Sequence, residues 1–317
     1  MAMADYAFRI MCKDILLCGT SSKGQNVRAK WEDGTPAHTL HIFGVTNRYY
    51  MNEEFPILTI RPIDYKKAFD EILWIYQKKS NNIHDLHSHI WDEWADETGS
   101  IGTAYGYQVA KKHIHTKIEE RYLKEMLDDL ADPNSDYRKK FPSIELDEEG
   151  NLKLDQMDGV LWDLTYNPFS RRIITNLYNL DDLHTMGLYP CAYSMTFNVT
   201  LNEDNKMVLN MILNQRSQDT LVANGWNVTQ YALLLSVIAH CCNMLPGQFI
   251  HVISDCHIYD RHVPIINELL ERDPVDDPVP TLKINKDKKN FYDFTVDDIE
   301  ILNYNPHPQI KNIPVAI

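Results

Sequence analysis

Two stretches of the chain alternate between apolar and polar residues, a pattern that is typical of half-buried β-strands. One covers residues 37–49 and the other covers residues 190–201. The second continues through a polar turn at 202–205 into another alternating run at 207–213, which predicts two antiparallel strands joined by that turn. A shorter apolar run at 249–253 predicts one further strand.

Two other stretches have the spacing of helices. Asp64 is predicted to cap a helix in which Ala68, Ile72 and Ile75 share one face. A second helix, of about 18 residues, is predicted to open at Asn227. This second helix is apolar nearly all round, so it should lie in the middle of the fold.

Strands and helices follow one another without a regular βαβ alternation, which favours an α+β fold over a doubly wound sheet. We predict a single domain over residues 1–317, with a mixed β-sheet covered by helices. The segment 116–158 carries thirteen acidic and seven basic residues and many turn formers, which predicts a charged surface insertion. Its first half spaces apolar residues four apart and predicts a helix over 117–130, with one face formed by Ile118, Tyr122, Met126 and Leu130.

The overall charge narrows the possible functions. The 317 residues include 31 basic and 45 acidic side chains, a net charge of −14, which argues against a protein that binds nucleic acid over a long footprint. The longest near-continuous apolar run, 231–239, is too short for a membrane-spanning helix of about 20 residues. No signal peptide is recognisable and the six cysteines form no CxxC pair, so we expect a cytoplasmic protein with reduced thiols. No group of cysteines and histidines has the spacing of a zinc site, and we predict no metal.

Candidate chemistry gathers around one cysteine. Cys191 opens a predicted strand, so its thiol could project into a cleft or could be one more buried cysteine. A reactive thiol would need nearby cations that favour the thiolate, and the candidates are Arg171, Arg172 and Arg216. Arg216 with Ser217 also suits a phosphate, although the same pair could form a solvated turn.

Several other side chains fit either a site or the core. His257 and Tyr259 share one face of a predicted strand and could bind a ligand or pack together. Glu71 lies in an apolar helix segment, so it either turns to solvent or has a function. Trp91 and Trp94 could be core aromatics or a stacking wall for a flat ligand.

Long motifs follow one another in a consistent order along almost the whole chain. They include Val-Arg-Ala-Lys-Trp-Glu-Asp-Gly, Ile-Trp-Asp-Glu-Trp-Ala-Asp-Glu, Ser-Arg-Arg, Tyr-Pro-Cys, Gln-Arg-Ser-Gln-Asp, Asn-Val-Thr-Gln-Tyr-Ala-Leu, Asp-Cys-His-Ile-Tyr and the terminal Pro-Val-Ala-Ile. In these motifs the chain resembles the folate-dependent thymidylate synthases, in particular their bacillus and bacteriophage branch. Only the segment 116–158 lies outside the resemblance.

The resemblance implies a methyltransferase that converts dUMP to dTMP in a homodimer whose β-sheets pack back to back. 5,10-Methylenetetrahydrofolate would be the co-substrate that gives a one-carbon unit and a hydride, with no metal or flavin. The implied catalytic residues are Cys191, as the nucleophile that adds to uracil C6, and Glu71, Tyr105, Asp219 and Trp91. The implied dUMP ligands are Arg28, Gln215, Arg216, Ser217, Asp219, Asn227, His257 and Tyr259, with Arg171 and Arg172 of the partner subunit. The implied folate ligands are Trp91, Trp94, Asp219, Arg61 and Ile317.

Two alternatives stay open at this point: a hydroxymethylase of the same fold that acts on dUMP or dCMP, and a non-catalytic nucleotide-binding dimer. Four positions depart from the pattern of the family. Ala192 stands where many members have histidine, and Ala223 stands where glycine is usual. Asp64 replaces a frequent histidine and Arg61 replaces a lysine, both on the folate side. Nucleotide binding is therefore better supported than folate binding.

Overall fold

Helices and strands alternate irregularly along the chain, whose residues 2–275 and 278–317 are described by a computed structural model. The α-helices are Met3–Cys18 (α1), Tyr65–Tyr76 (α2), Gly106–Ala110 (α3), Glu120–Ala131 (α4), Asp136–Lys140 (α5), Gln156–Tyr166 (α6), Asn224–Cys241 (α7) and Val263–Glu271 (α8). The strands are Thr20–Ser21 (β1), Thr39–Tyr50 (β2), His113–Lys117 (β3), Glu145–Leu146 (β4), Asn151–Leu154 (β5), Ile174–Asn176 (β6), Ala192–Leu201 (β7), Met207–Asp219 (β8), Leu245–Tyr259 (β9), Thr281–Ile284 (β10) and Ile299–Leu302 (β11).

The main sheet of the described residues has six strands in the order β1-β2-β9-β8-β7-β6. Strands β8 and β9 are parallel and the other neighbouring pairs are antiparallel, so the sheet is mixed. Helix α7 packs against β8, β9 and α2 and is buried on almost every side. This arrangement confirms the predicted α+β fold. None of the helices in the described residues combines the length and the apolar composition that a span of the bilayer requires.

The predicted elements around α7 match the structure closely. Asp64 caps α2, since its side chain accepts a hydrogen bond from the Lys67 N–H. The alternating stretch after residue 190 forms β7 and β8, which pair across the predicted turn. Helix α7 has 18 residues but begins at Asn224, three residues before the predicted Asn227. Its start is earlier because the Asp219 carboxylate binds the backbone of the preceding turn.

The segment 116–158 is more ordered than its composition suggests. Strands β3, β5 and β4 form a small sheet, and α4 begins at Glu120 because residues 116–117 belong to β3. Ile118 therefore lies outside the helix, where its backbone binds the turn that precedes β5. Met126 and Leu130 share the buried face of α4, whereas Tyr122 is exposed. The predicted helical face is thus correct only in its second half.

A buried ionic cluster ties this segment to the rest of the molecule. Lys79, in the loop after α2, donates to the Asp155 carboxylate and lies 3.6 Å from Asp158 Oδ1. Its ammonium also lies 4.7 Å from the centre of the Tyr292 ring, whose hydroxyl donates to Asp158. Burial raises the pKa of Asp158, and the Lys79 charge opposes that rise. One cation thus compensates two buried carboxylates.

Replacing Lys79 with methionine is expected to lower the free energy of unfolding by about 3–5 kcal/mol, because two buried carboxylates lose their only described cation. Urea unfolding at fixed protein concentration measures the change. Lys67→Met is the matched control, since Lys67 makes an exposed pair with Asp64 and should cost less than about 1 kcal/mol. Equal losses in the two variants would contradict the structural role of Lys79.

Candidate active site

Cys191 immediately precedes β7, with its backbone held by two neighbours. Its N–H donates to the Tyr105 hydroxyl oxygen at 3.1 Å, and its carbonyl accepts from the Arg216 N–H at 2.8 Å. Nη2 of the Arg216 guanidinium lies 3.8 Å from Cys191 Sγ and donates to the Tyr189 carbonyl at 2.8 Å. The half-buried thiol is therefore fixed beside one cation at the end of a strand.

Burial and charge act in opposite directions on this thiol. Burial raises the pKa of Cys191, and the positive charges of Arg216 and Arg28 work to lower it. In a single chain the predicted effect of the cations is thus smaller than that of burial. Arg28 is exposed in the loop before β2. Arg171 and Arg172 are exposed in the loop between α6 and β6, and within the described residues of one chain neither contacts Cys191.

Tyr105 occupies a strained position beside Cys191. Its φ of +45° lies in a region that bulky residues rarely adopt, which costs about 1–3 kcal/mol. The next residue, Gly106, passes so close to another segment that a Cβ would lie 2.0 Å from the Ser80 carbonyl oxygen. The ring centroids of Tyr105 and Trp91 are 4.9 Å apart, and Trp94 lies 5.6 Å from Trp91. The local strain and the aromatic packing together fix the Tyr105 hydroxyl under Cys191.

Glu71 points inward from α2 and accepts hydrogen bonds from three side chains. Trp91 Nε1 donates to Oε1 at 2.8 Å, while Trp226 Nε1 and Gln230 Nε2 both donate to Oε2 at 2.6 Å. Burial raises the pKa of Glu71 to about 7, and the three donors limit the rise. Glu71 can therefore hold or release a proton near neutral pH, as a general acid or base must.

A chain of amides continues from Gln230 to the neighbouring strands. Gln230 Oε1 accepts from Asn227 Nδ2 at 3.1 Å, and Asn227 Oδ1 accepts from Gln215 Nε2 at 3.1 Å. Gln215 Oε1 lies 2.8 Å from Nε2 of His251, whose pKa burial lowers to about 3. Because His251 is neutral and donates, every amide in the chain has a defined orientation. Asn227 is left with one N–H donor and one lone pair for a ligand.

His257 and Tyr259 lie on one face of β9, as predicted, with their ring centroids 5.0 Å apart. Burial raises the pKa of Tyr259 to about 12, so its hydroxyl is protonated and can donate. The parallel register of β8 and β9 places Ser217 and Asp219 beside this face. Ser217, predicted to bind phosphate, and His257 and Tyr259, predicted to bind the sugar, therefore lie on adjacent strands, at the end where Cys191 is found.

Asp219 ends β8 and shapes the turn into α7. Its Oδ1 accepts from the backbone N–H groups of Leu221 and Val222 at 3.0 and 3.2 Å. Nδ1 of the buried His262 lies 3.4 Å from the same oxygen. Burial acts to lower the pKa of His262, but the Asp219 carboxylate outweighs it and raises that pKa. Within the described residues Oδ2 accepts no hydrogen bond, so it is free for a ligand.

Arg61 and the last residues of the chain meet near this turn. Arg61 donates to the Leu221 carbonyl and, through Nε, to Gln309 Oε1 at 3.2 Å. Ile317 exchanges two backbone hydrogen bonds with Lys30, at 2.8 and 3.0 Å. The final segment thus lies against the loop that carries Arg28.

Three of the positions at which the chain departs from the family pattern lie in a strand or directly before a helix. Ala192 is buried at the start of β7, Ala223 precedes α7, and Asp64 caps α2. In the residues that the structure describes, no group of three or more His, Cys, Asp or Glu side chains could hold a metal ion.

Sequence reasoning missed three polar neighbours of the site. Gln230 lies three residues after Asn227 on α7, a spacing that places both on one helical face and could have indicated it. Asp255 lies two residues before His257, so strand alternation could have indicated it. Trp226 contacts Glu71 from 155 positions along the chain, and no sequence pattern signals such a contact.

Comparisons with known proteins agree with this geometry. The sequence profile of the thymidylate synthase family matches residues 6–317. The chain is 38% identical over 321 residues to a thymidylate synthase of Bacillus mojavensis, with both chains fully covered. It is 37% identical to that of Bacillus phage phi3T, covering 96% of each chain. The solved structure of the thermostable thymidylate synthase A from Bacillus subtilis has a TM-score of 0.82 at 35% identity and covers 99% of both chains. This chain therefore belongs to the thymidylate synthase family of methyltransferases.

Proposed function

We propose that Cys191 is the nucleophile with which this chain converts dUMP to dTMP, using 5,10-methylenetetrahydrofolate as the second substrate. The observation that carries the proposal is the fixed Cys191 thiol, with the Arg216 guanidinium 3.8 Å from Sγ. A thiolate that adds to C6 of the pyrimidine turns C5 into a carbon nucleophile, which uracil lacks on its own. The folate would supply the one-carbon unit and the hydride that complete the methyl group.

Arg216 favours the reactive form of the thiol, because a guanidinium beside sulfur stabilises the thiolate against burial. A phosphate shared by Arg28, Arg216 and Ser217 would anchor the nucleotide at the same strand end. Glu71 would move protons at the pyrimidine and folate ends, since its pKa lies near 7. Tyr105, whose oxygen lies 3.1 Å from the Cys191 N–H, would stand near the C5 proton that must leave.

Asn227 would read the uracil edge. The amide chain leaves it one donor, which suits uracil O4, and one acceptor, which suits N3–H. Cytosine presents the opposite pattern at these two atoms, so it would meet donor against donor and acceptor against acceptor. Gln215 would hold the Asn227 amide from the opposite side.

Asn227→Asp is expected to lower kcat/KM for dUMP by about 10²-fold or more, because the donor to uracil O4 is lost, and to raise that for dCMP, because a carboxylate oxygen can accept from the cytosine amino group. Steady-state kinetics with both nucleotides measures the shift. Asn243→Asp, in the exposed turn after α7, is the matched control and should leave both values within about twofold. Unchanged selectivity of the Asn227 variant would count against base reading by this amide.

The folate would bind beside the aromatic group formed by Trp91 and Trp94. The free Asp219 Oδ2 can accept a hydrogen bond from a pterin N–H, and Arg61 carries a charge suited to a glutamate tail. Ile317 is hydrogen-bonded to Lys30 through the backbone, and a movement of the last residues would close the site over the bound substrates. The donor set therefore fits a flat, hydrogen-bonding heterocycle with an anionic tail.

The active unit would be a homodimer. The outer face of the main sheet exposes apolar side chains that a second sheet packed back to back would cover, among them Ile174 and Ile212, which share one face through their pairing with Thr196. Arg171 and Arg172 are exposed, and within the described residues neither guanidinium makes a hydrogen bond, so both could complete the phosphate site of the partner. With its six free cysteines, all in the described residues, the protein suits the reducing cytosol.

Subunit mixing tests the shared phosphate site. Cys191→Ala and the double variant Arg171→Ala/Arg172→Ala should each be inactive alone, while heterodimers of the two regain one intact site. Random reassociation is expected to restore about a quarter of wild-type activity, because half of the dimers carry one working site of two. Mixtures that stay inactive although subunits exchange, followed by mass spectrometry, would contradict a site built from both chains.

Product analysis tests the reaction itself. With dUMP and 5,10-methylenetetrahydrofolate we expect dihydrofolate, followed by its absorbance, in equal amount to dTMP, identified by mass. A hydroxymethyl nucleotide with tetrahydrofolate would show that water replaces the hydride. Bound nucleotide without any product would show a non-catalytic protein.

A further inference from the structure

Asp255 joins two histidines at the sugar side of the site. Its Oδ1 lies 2.6 Å from His257 Nδ1, and its Oδ2 lies 3.0 Å from His41 Nδ1. His41 stands opposite His257 in the antiparallel pairing of β2 and β9, so the carboxylate bridges two strands. The mechanism proposed above uses neither Asp255 nor His41.

The charge of Asp255 determines which ring nitrogens carry hydrogen. Burial acts to raise the pKa of Asp255, but hydrogen bonds and charge from His257 and His41 outweigh it, and that pKa is lowered. The carboxylate is therefore ionised near neutral pH and can only accept hydrogen bonds. Each Nδ1 that faces it must then carry the hydrogen. In a neutral His257 this leaves Nε2 as a bare acceptor.

The surroundings keep this arrangement in place. His257 is mostly buried, and its ring packs edge-on against Tyr259. His41 engages the second carboxylate oxygen, so Asp255 cannot rotate away without losing a partner. The charged and polar groups that the parallel β8 adds beside this face are Ser217 and Asp219. A positioned acceptor and the protonated Tyr259 hydroxyl therefore stand side by side.

We propose that Asp255, supported by His41, is a positioning residue that fixes His257 as a hydrogen-bond acceptor and thereby selects nucleotides with a free 3′-hydroxyl. The proposal rests on the function above, in which His257 and Tyr259 bind that hydroxyl. A 3′-hydroxyl donates its hydrogen to Nε2 of His257. A 3′-phosphate, as in a nucleotide inside a polynucleotide chain, has no hydrogen to donate and meets the acceptor with its own oxygens.

The test compares dUMP with 2′,3′-dideoxyuridine 5′-monophosphate at pH 8. Wild type is expected to prefer dUMP in kcat/KM by about 10²-fold, mostly through KM. Asp255→Asn should lower kcat/KM for dUMP by at least about tenfold, because an amide can donate to Nδ1 and so reverse the tautomer of His257. The same variant should leave the value for the dideoxy nucleotide within about twofold.

Matched variants separate positioning from folding. Asp255→Glu keeps an ionised acceptor, so its preference for dUMP should lie between that of Asp255→Asn and that of wild type. His41→Gln should reduce the preference about threefold relative to wild type. Asp204→Asn, in the exposed turn between β7 and β8, is the control and should leave kcat/KM for both nucleotides unchanged. The proposal would be overturned if Asp255→Asn lowered kcat/KM for the two nucleotides equally, or lowered it for neither.

Failure of the proposed function gives a different result. Wild type would then form no dTMP. Dissociation constants from calorimetry would instead compare dUMP with the dideoxy nucleotide, for wild type and for Asp255→Asn. A preference for dUMP that depends on Asp255 would still support the positioning role. Equal binding of the two nucleotides by wild type would refute it.

Discussion

Replacing Cys191 with alanine is expected to abolish dTMP formation, with kcat reduced by at least about 10⁴-fold. The described side chains that hydrogen-bond to Cys191 are the Tyr105 phenol and the Arg216 guanidinium, and neither can replace the thiolate as a nucleophile. The variant should still bind dUMP, since the proposed phosphate, base and sugar ligands are unchanged. Quenched-flow or steady-state assays measure turnover, and calorimetry measures binding.

Cys18 provides the matched control for this variant. It is an exposed free thiol at the end of α1, and Cys18→Ala should keep activity within about twofold of wild type. Residual activity of Cys191→Ala near the wild-type level would refute the assignment of the nucleophile. Loss of dUMP binding together with activity would show instead that Cys191 is needed to build the site.

Replacing Glu71 with glutamine is expected to reduce kcat by about 10²–10⁴-fold, because the amide cannot take up or release a proton. Wild-type kcat should change with pH around the Glu71 pKa of about 7, and this change should vanish in the variant. Burial is what raises that pKa, so the carboxyl is largely protonated below pH 7 and ionised above it. A pH series of kcat with saturating substrates measures both effects.

The neighbouring carboxylate provides a control for Glu71. Asp70 lies next to it on α2 but points to His87, whose backbone N–H and Nδ1 lie 2.9 and 3.0 Å from its oxygens. Asp70→Asn should keep the wild-type pH profile and lower kcat by less than about tenfold. An unchanged pH profile in Glu71→Gln would contradict its role in proton transfer.

Local pattern predicted the elements that carry the site. The strand pair β7–β8 and the buried helix α7 follow from alternation and from apolar periodicity, which are properties of contiguous residues. The predicted start of helix α4 lies too early in the chain, because the Ile118 N–H donates a hydrogen bond to a turn more than thirty positions further on. Contacts of that kind depend on the whole fold and leave no trace in local spacing.

In the candidate site too, local patterns predicted some residues, and contacts between distant segments could not be predicted. Cys191, Arg216 and Asn227 could be picked out from their motifs, because each lies in a short run with a distinctive pattern. The three donors to Glu71 and the bridge from Asp255 to His41 could not, because they join residues on separate elements. The partner arginines remain a prediction, since their position relative to Cys191 depends on a second subunit.

The most direct test of the account is covalent trapping of the nucleotide. In 5-fluoro-dUMP the C5 substituent cannot leave as a proton, so a thiol adduct formed in the presence of 5,10-methylenetetrahydrofolate should persist. Digestion and mass spectrometry are then expected to place the nucleotide on the peptide that contains Cys191. An adduct on another cysteine, or its absence from a preparation that forms dTMP from dUMP, would contradict nucleophilic attack by Cys191.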